Sequence, residues 1–349
     1  MRRSCDGRQG VNRTARLASV PLAMILLLVS CGEPNSEGSS APDPLPSAPE
    51  PAVAPPLETV PVGRVVPVGT MPEGIVVDGT TGLVAVGLRQ PAGIALVDLE
   101  GQVVQRVDLD GAPRHLRLAG PGGPVLVPAE GSDQLVRVGL PDGQVSSVTR
   151  VGRNPHDAVA LGERVFVADE FADQVSVVVV DEVVDETPAP LQPGGIAAGG
   201  DAVAVVGVRA RQTKVFDAAS LDDLGTVVSG AGPTHVVAEQ DRAFVADTSG
   251  DAIVTLSLRP AVAETARVEA VGAPYGMALD TARQRLWVTL TASNEVVAFD
   301  ITDDQPRLVT RLASVRQPNS VAVDSSTGNV YVTGTADGVL QIIPADRIG

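Results

Sequence analysis

Cysteine, lysine and aromatic residues are nearly missing from this chain of 349 residues. Its two cysteines, Cys5 and Cys31, both lie close to the start, so the remainder has no thiol to pair. A disulfide framework, a c-type haem attachment and a cysteine zinc site are therefore excluded. Phe, Tyr and Trp together make up 2% of residues, which leaves Val, Ala, Leu and Ile to build any core. Lys214 is the single lysine, 42 residues are acidic, and the formal net charge is −16. Such a surface repels nucleic acid and anionic lipid, because binding either means neutralising phosphates. No apolar run reaches the roughly 20 residues that a membrane-spanning helix needs.

The first 30 residues form a leader. Arg2, Arg3, Arg8, Arg13 and Arg16 precede a short apolar run, residues 17–29, in the order of a secretory signal. The run ends in Leu28-Val29-Ser30-Cys31, which resembles the lipobox of bacterial lipoproteins. That resemblance implies cleavage before Cys31 and lipidation of its thiol, with Gly32 carrying no inner-membrane retention signal. It implies an extracytoplasmic protein, on the outer membrane or cell surface, that meets the membrane through its anchor alone. Residues 31–57 are rich in Pro, Ser and Ala and cannot bury enough apolar surface to fold, so a disordered, semi-rigid tether is expected. Loss of the leader, with its five arginines and Asp6, takes the net charge from −16 to near −20.

The remaining residues, 58–349, repeat one pattern: a turn ending in proline, an apolar strand, a polar turn, a second strand, a polar loop and a third strand. The turn prolines are Pro72, Pro113, Pro155, Pro193, Pro233, Pro274 and Pro318, spaced by 41, 42, 38, 40, 41 and 44 residues. A period near forty with three or four short strands predicts an all-β fold, a β-propeller with one blade per repeat and so seven blades. The seventh copy stops one strand short after residues 339–343, whereas residues 61–68 precede the first turn proline with no blade of their own. Residues 61–68 are therefore expected to complete the last blade, because a ring must cover the unpaired edges of its ends.

At the start of the second strand stand Phe166-Val-Ala-Asp, Phe244-Val-Ala-Asp, Trp287-Val-Thr-Leu and Tyr331-Val-Thr-Gly. These resemble the Tyr-Val-Thr-Asn signature of the YVTN family of β-propeller repeats. The resemblance implies the fold and an extracytoplasmic setting; it implies no activity.

In a propeller, the residues just after each turn proline form the rim of the central channel, where loops from all blades converge. They are Glu73-Gly74, Arg114-His115, His156-Asp157, Gly194-Gly195, Thr234-His235, Tyr275-Gly276 and Asn319-Ser320, and they include all three histidines of the chain. Candidate binding residues are Glu73, Arg114, His115, His156, Asp157, Thr234, His235, Tyr275 and Asn319. The same face is expected to carry Asp169, Glu170, Asp173, Asp247, Asp251 and Glu295. Histidine beside carboxylate suits a divalent metal or general acid–base work. His115 and His156, from adjacent blades, with Asp157 and Asp169, are the expected metal set, and His235 is expected to lie too far round the ring to join them. Carboxylates that open tight turns, such as Asp78, Asp280 and Asp324, are expected to accept backbone N–H groups instead.

Two functions stay open. One is a monomeric binding or scaffold module taking a protein or small-molecule ligand on the mouth face, with no cofactor. The other is a metal-dependent hydrolase or lyase with a histidine and carboxylate site in the same place.

Overall fold

The computed structural model describes residues 47–348. The expected leader and the lipidation residue Cys31 lie outside the described residues.

Alternation of small apolar residues with Gly, Asp and Pro turns produces strands throughout. β1 (Arg64–Pro67) is followed by the first blade, β2 (Thr70–Asp78), β3 (Leu83–Gln90), β4 (Ala92–Asp98) and β5 (Val103–Asp108). Among the described residues there are seven four-stranded antiparallel sheets, so the chain is a seven-bladed β-propeller, as its period predicts. Six of the sheets use four consecutive strands. The seventh is closed by β1, which pairs with Val339–Ile343 in the register Arg64 with Ile342 through Pro67 with Val339. The expected closing strand is thus present.

The core sits between blades. Among the described residues there are seven buried clusters, each shared by two neighbouring blades, including one that joins the first blade to the last through Val77, Val84, Tyr331 and Leu340. Val and Ala dominate these clusters. Small β-branched side chains allow twisted sheets to stack closely, which is how the chain manages with few aromatics.

One local device recurs. The innermost strand pair of six blades carries a register shift at the rim residues, between Glu73 and Ile75, Pro155 and Asp157, Pro193 and Ile196, Pro233 and His235, Pro274 and Met277, and Pro318 and Ser320. A bulge bends its strand and re-aims the extra side chain. In the second blade the innermost strand is reduced to Arg117–Leu118, preceded by a lone bridge between Pro113 and Ala129, so Arg114 and His115 leave the ladder altogether.

Residues 47–57 have no regular secondary structure, yet they lie against the ring. Gln317 reads the backbone of this strap at two points: its Nε2 donates to the Ala52 carbonyl (2.8 Å), and its Oε1 accepts from the Ala54 N–H (2.9 Å). Ala52 N–H donates to Thr291 Oγ1 (3.0 Å), and Asn294 Nδ2 donates to the Pro55 carbonyl (2.9 Å). Ala54 is buried, and Pro49 lies against Gly232. The expectation of a free tether as far as residue 57 is corrected for this part. Short alanines fit against the blades where larger side chains would stand off, and polar ring residues satisfy the strap's backbone.

Candidate functional site

The bulges and the irregular second blade turn polar side chains from several blades onto the channel axis. His115 Nε2 and His235 Nε2 lie 2.9 Å apart, although their blades are not neighbours. The rings of His115 and His156 are 5.0 Å apart and those of His156 and His235 6.2 Å, centre to centre. One ligand nitrogen from each of the three lies within 4.8 Å of the others. The expectation that His235 sits too far round the ring is therefore corrected. Glycines explain the approach: a Cβ on Gly195 would meet the His235 Cα at 2.7 Å, and one on Gly74 would meet the Arg114 carbonyl oxygen at 2.6 Å. With no side chain there, neighbouring inner strands close around a narrow mouth.

Two of the histidines, His235 and His156, are oriented from behind. His235 Nδ1 lies 3.1 Å from the Tyr275 carbonyl oxygen, which can only accept, so Nδ1 carries the proton and Nε2 a lone pair. His156 Nδ1 lies 3.3 Å from Glu170 Oε2 and 3.9 Å from Glu130 Oε1. Burial, and then the charges of the other histidines, Arg114 and Arg117, hold the pKa of His115 well below the ordinary value; for His235, burial and then His156, Arg114 and Arg117 do the same. Both rings are neutral at pH 7. Burial alone would push Glu170 up, but hydrogen bonds from His156 and Gln192 and the charge of Arg114 override it and hold the carboxyl at about 2.

A charged network surrounds the histidines. Arg89 donates to Glu130 Oε2 at 2.8 Å and lies 3.6 Å from Glu73 Oε2. Arg114 lies 3.6 Å from Glu73 Oε1 and donates to the Tyr275 hydroxyl and to Glu50 of the strap, each at 3.4 Å. Asn319 Nδ2 reaches Glu73 Oε1 at 3.4 Å. Glu73, Arg114, His115, His156, His235, Tyr275 and Asn319 are thus brought together. Beyond them the channel turns apolar, with a cavity of about 270 Å³ lined by Ile75, Val77, Ile196, Met277 and Val321 among others.

Other sequence candidates are engaged elsewhere. Thr234 shares a hydrogen bond with Thr248 (2.7 Å) inside its own blade. Asp157 pairs with Arg117 (3.2 Å) and accepts the Ala158 and Ile196 N–H groups, while Asp169 accepts from Ser176 (2.6 Å) and Gln174. These two carboxylates, expected as metal ligands, belong to neither of the two ligand groupings found among the described residues: the three histidines, and Glu130 with His156 and Glu170. Asp173 accepts the Gln192 N–H, Asp251 accepts those of Gly272 and Ala273, Asp247 those of Ala231 and Gly232, and Glu295 pairs with Arg311. Their task is to tie loops. Sequence reasoning missed Glu130 and Arg89. Glu130 follows the second strand of its blade just as Glu170 does in the next, so an alignment of the repeats would have found it.

A family model described as a beta-propeller repeat matches residues 307–341. No curated protein matches the chain. Among solved structures, a chain of a mitotic checkpoint complex is 12% identical, with a TM-score of 0.71 over 86% of this chain and 96% of that one. Kuenenia stuttgartiensis hydrazine synthase is 16% identical, with a TM-score of 0.68 over 79% of this chain and 96% of that one. Virginiamycin B lyase from Staphylococcus aureus is 14% identical, with a TM-score of 0.67 over 80% and 98%. At these identities the likeness is one of fold. The chain is a propeller repeat protein.

Proposed function

We infer that this propeller is a lipid-anchored, extracytoplasmic YVTN-type protein, attached through Cys31, that works as a binding module through its mouth face. The observation that carries the reading is the strap. Residues 47–57 are an extended, proline-rich peptide held by side-chain amides that read its backbone and by Arg114 facing its one carboxylate, Glu50. The mouth is therefore built to hold extended polypeptide with an acidic residue over the channel, and a segment of a partner protein offering the same groups fits in its place. The likeness to a chain of the mitotic checkpoint complex, a multi-protein assembly by its name, is in keeping with a protein ligand. The acidic surface disfavours nucleic acid as the partner.

The test is direct. A ring beginning at Glu58 is titrated with a labelled synthetic peptide of residues 47–57, and binding is followed by fluorescence anisotropy. Saturable binding that weakens about tenfold in Gln317→Ala, a loss of roughly 1.4 kcal/mol, supports the reading; no binding by the open ring removes it. The anchor is tested separately, by loss of fatty-acid labelling and membrane association in Cys31→Ser.

A further inference from the structure

We propose that His115, His156 and His235 form a three-nitrogen site for one divalent transition-metal ion, zinc or a neighbour in the first row, at the head of the central channel.

The geometry comes first. Imidazole nitrogens around a tetrahedral ion at ~2.0–2.1 Å stand about 3.3 Å from one another. Here the nearest pair, on His115 and His235, is 2.9 Å apart, and all three ligand atoms fall within 4.8 Å. Opening the short pair by ~0.4 Å and drawing His156 in by at most ~1.5 Å completes the set. Ring rotations about the side-chain torsions supply movements of that size.

The second observation is how the rings are held. Histidine ligands to metals characteristically donate the other ring N–H to a carbonyl or carboxylate, which fixes the tautomer and frees the coordinating nitrogen. His235 does this with the Tyr275 carbonyl, and His156 with Glu170. His235 then presents an Nε2 lone pair to His115, and His156 keeps its Nε2 lone pair for a ligand. His115, which donates its Nε2–H to His235 in the metal-free pocket, moves that proton to Nδ1 as it ligates.

Third, there is room. A cavity of about 30 Å³ is lined by His115, His235, Arg117, Gly276 and Ser320, enough for a water as fourth ligand. The Ser320 hydroxyl is buried, lines this cavity, and has no hydrogen-bond partner in the protein. A water on the metal gives that orphan its bond. Charge agrees: the carboxylates of Glu130 and Glu170 flank His156 and offset the cations of Arg114 and Arg117 when a dication enters.

The competing account is that the His115–His235 hydrogen bond is merely a satisfied buried pair. The experiment uses the full chain with Cys5→Ser and Cys31→Ser, so that no thiol competes, stripped with chelator and titrated with Co²⁺ and then Zn²⁺. One equivalent of Co²⁺ giving strong visible absorption, displaced by one equivalent of Zn²⁺, is expected. His115→Gln, His156→Gln and His235→Gln, amides chosen to spare the packing, should each lower affinity at least about a hundredfold while far-ultraviolet circular dichroism stays native. Glu170→Gln should cost about 10- to 100-fold by loosening His156 alone. Absence of saturable Co²⁺ uptake overturns the proposal, as does uptake that none of the three histidine substitutions changes. Peptide binding by the metal-free ring is read independently, so the loss of one reading leaves the other standing.

Discussion

At His235 the two ring nitrogens have separate duties: Nδ1 is committed to the Tyr275 carbonyl, and Nε2 faces His115 at 2.9 Å. Protonating either ring puts a charge in a buried pocket beside Arg114 and Arg117, which is why burial and those neighbours depress both pKa values. The consequence for stability has a definite sign. The unfolded chain takes up protons on these histidines near pH 6.5, and the folded protein does not, so stability is full above that pH and lost as the solution is acidified through it. We expect the melting temperature to be level above about pH 7 and to fall toward pH 5, with the slope reduced in His235→Gln. Asp169 works the other way. Burial raises its carboxyl to about 6, against weaker opposition from Ser176 and Gln174, so its contribution falls as pH rises through 6. In Asp169→Asn that opposing contribution is gone, and the acid-side loss should steepen. A thermal unfolding series from pH 5 to 8 on the three proteins separates the two groups; parallel curves would mean that neither residue titrates differently on folding.

At the level of the element, loops are tied to the next blade by side chains at the end of the second strand and in the loop after it. Asp133 accepts the Asn154 N–H, Asp173 that of Gln192, Asp251 those of Gly272 and Ala273, and Asn294 Oδ1 that of Gln317. Each bond crosses from one blade to the turn that opens the following one, so the clasp aligns the rim. Removing an acceptor strands the partner N–H groups at about 1–3 kcal/mol each where they are shielded from water. Asp251→Ala is therefore expected to destabilise by about 2 kcal/mol, and by displacing the turn before Tyr275 it should also disturb His235. Chemical denaturation measures the first effect, and the His235 ring signals in a nuclear magnetic resonance spectrum the second. These clasps mark where sequence reading succeeded and where it stopped. The prolines at intervals near forty, the missing fourth strand after residue 343 and the orphan strand before residue 68 exposed the ring and its closure, because period and strand count are local properties of sequence. The rim histidines were visible for the same reason. Their meeting across the axis was not, since it depends on the width of the mouth, set by bulges and by glycines such as Gly195 whose effect is on another blade. Asp169 and Asp251 looked like site residues because a carboxylate at a strand end or in a loop reads the same whether it faces a ligand or a neighbouring side chain or backbone N–H.

For the whole molecule the governing fact is closure, and the N-terminal segment contributes to it in two unequal parts. β1 supplies the outer strand of the last blade, and behind it Gln341, fully buried, donates from Nε2 to the carbonyls of Val62 (2.8 Å) and Ala313 (3.1 Å) while its Oε1 accepts from Ser314 (2.7 Å). Taking β1 away leaves a buried amide half unbonded and bares the edge of Val339–Ile343. The strap, by contrast, adds no strand to any sheet and touches the ring through hydrogen bonds with Thr291, Asn294 and Gln317 and through Glu50 with Arg114, so its removal bares no sheet edge. Its contribution to stability is small for that reason, and its place over the mouth is left as its role. Two truncations distinguish the parts. A chain beginning at Glu58 should melt within about 3 °C of the longer protein and bind the strap peptide. A chain beginning at Val68 should melt lower by on the order of 10 °C and associate through its open edge, visible as oligomers in size-exclusion chromatography. If both truncations melted together near the parent, β1 would not be what holds the ring shut. If both fell together by the larger amount, the strap would be part of the fold, and its occupancy of the mouth could not be exchanged for a partner's peptide.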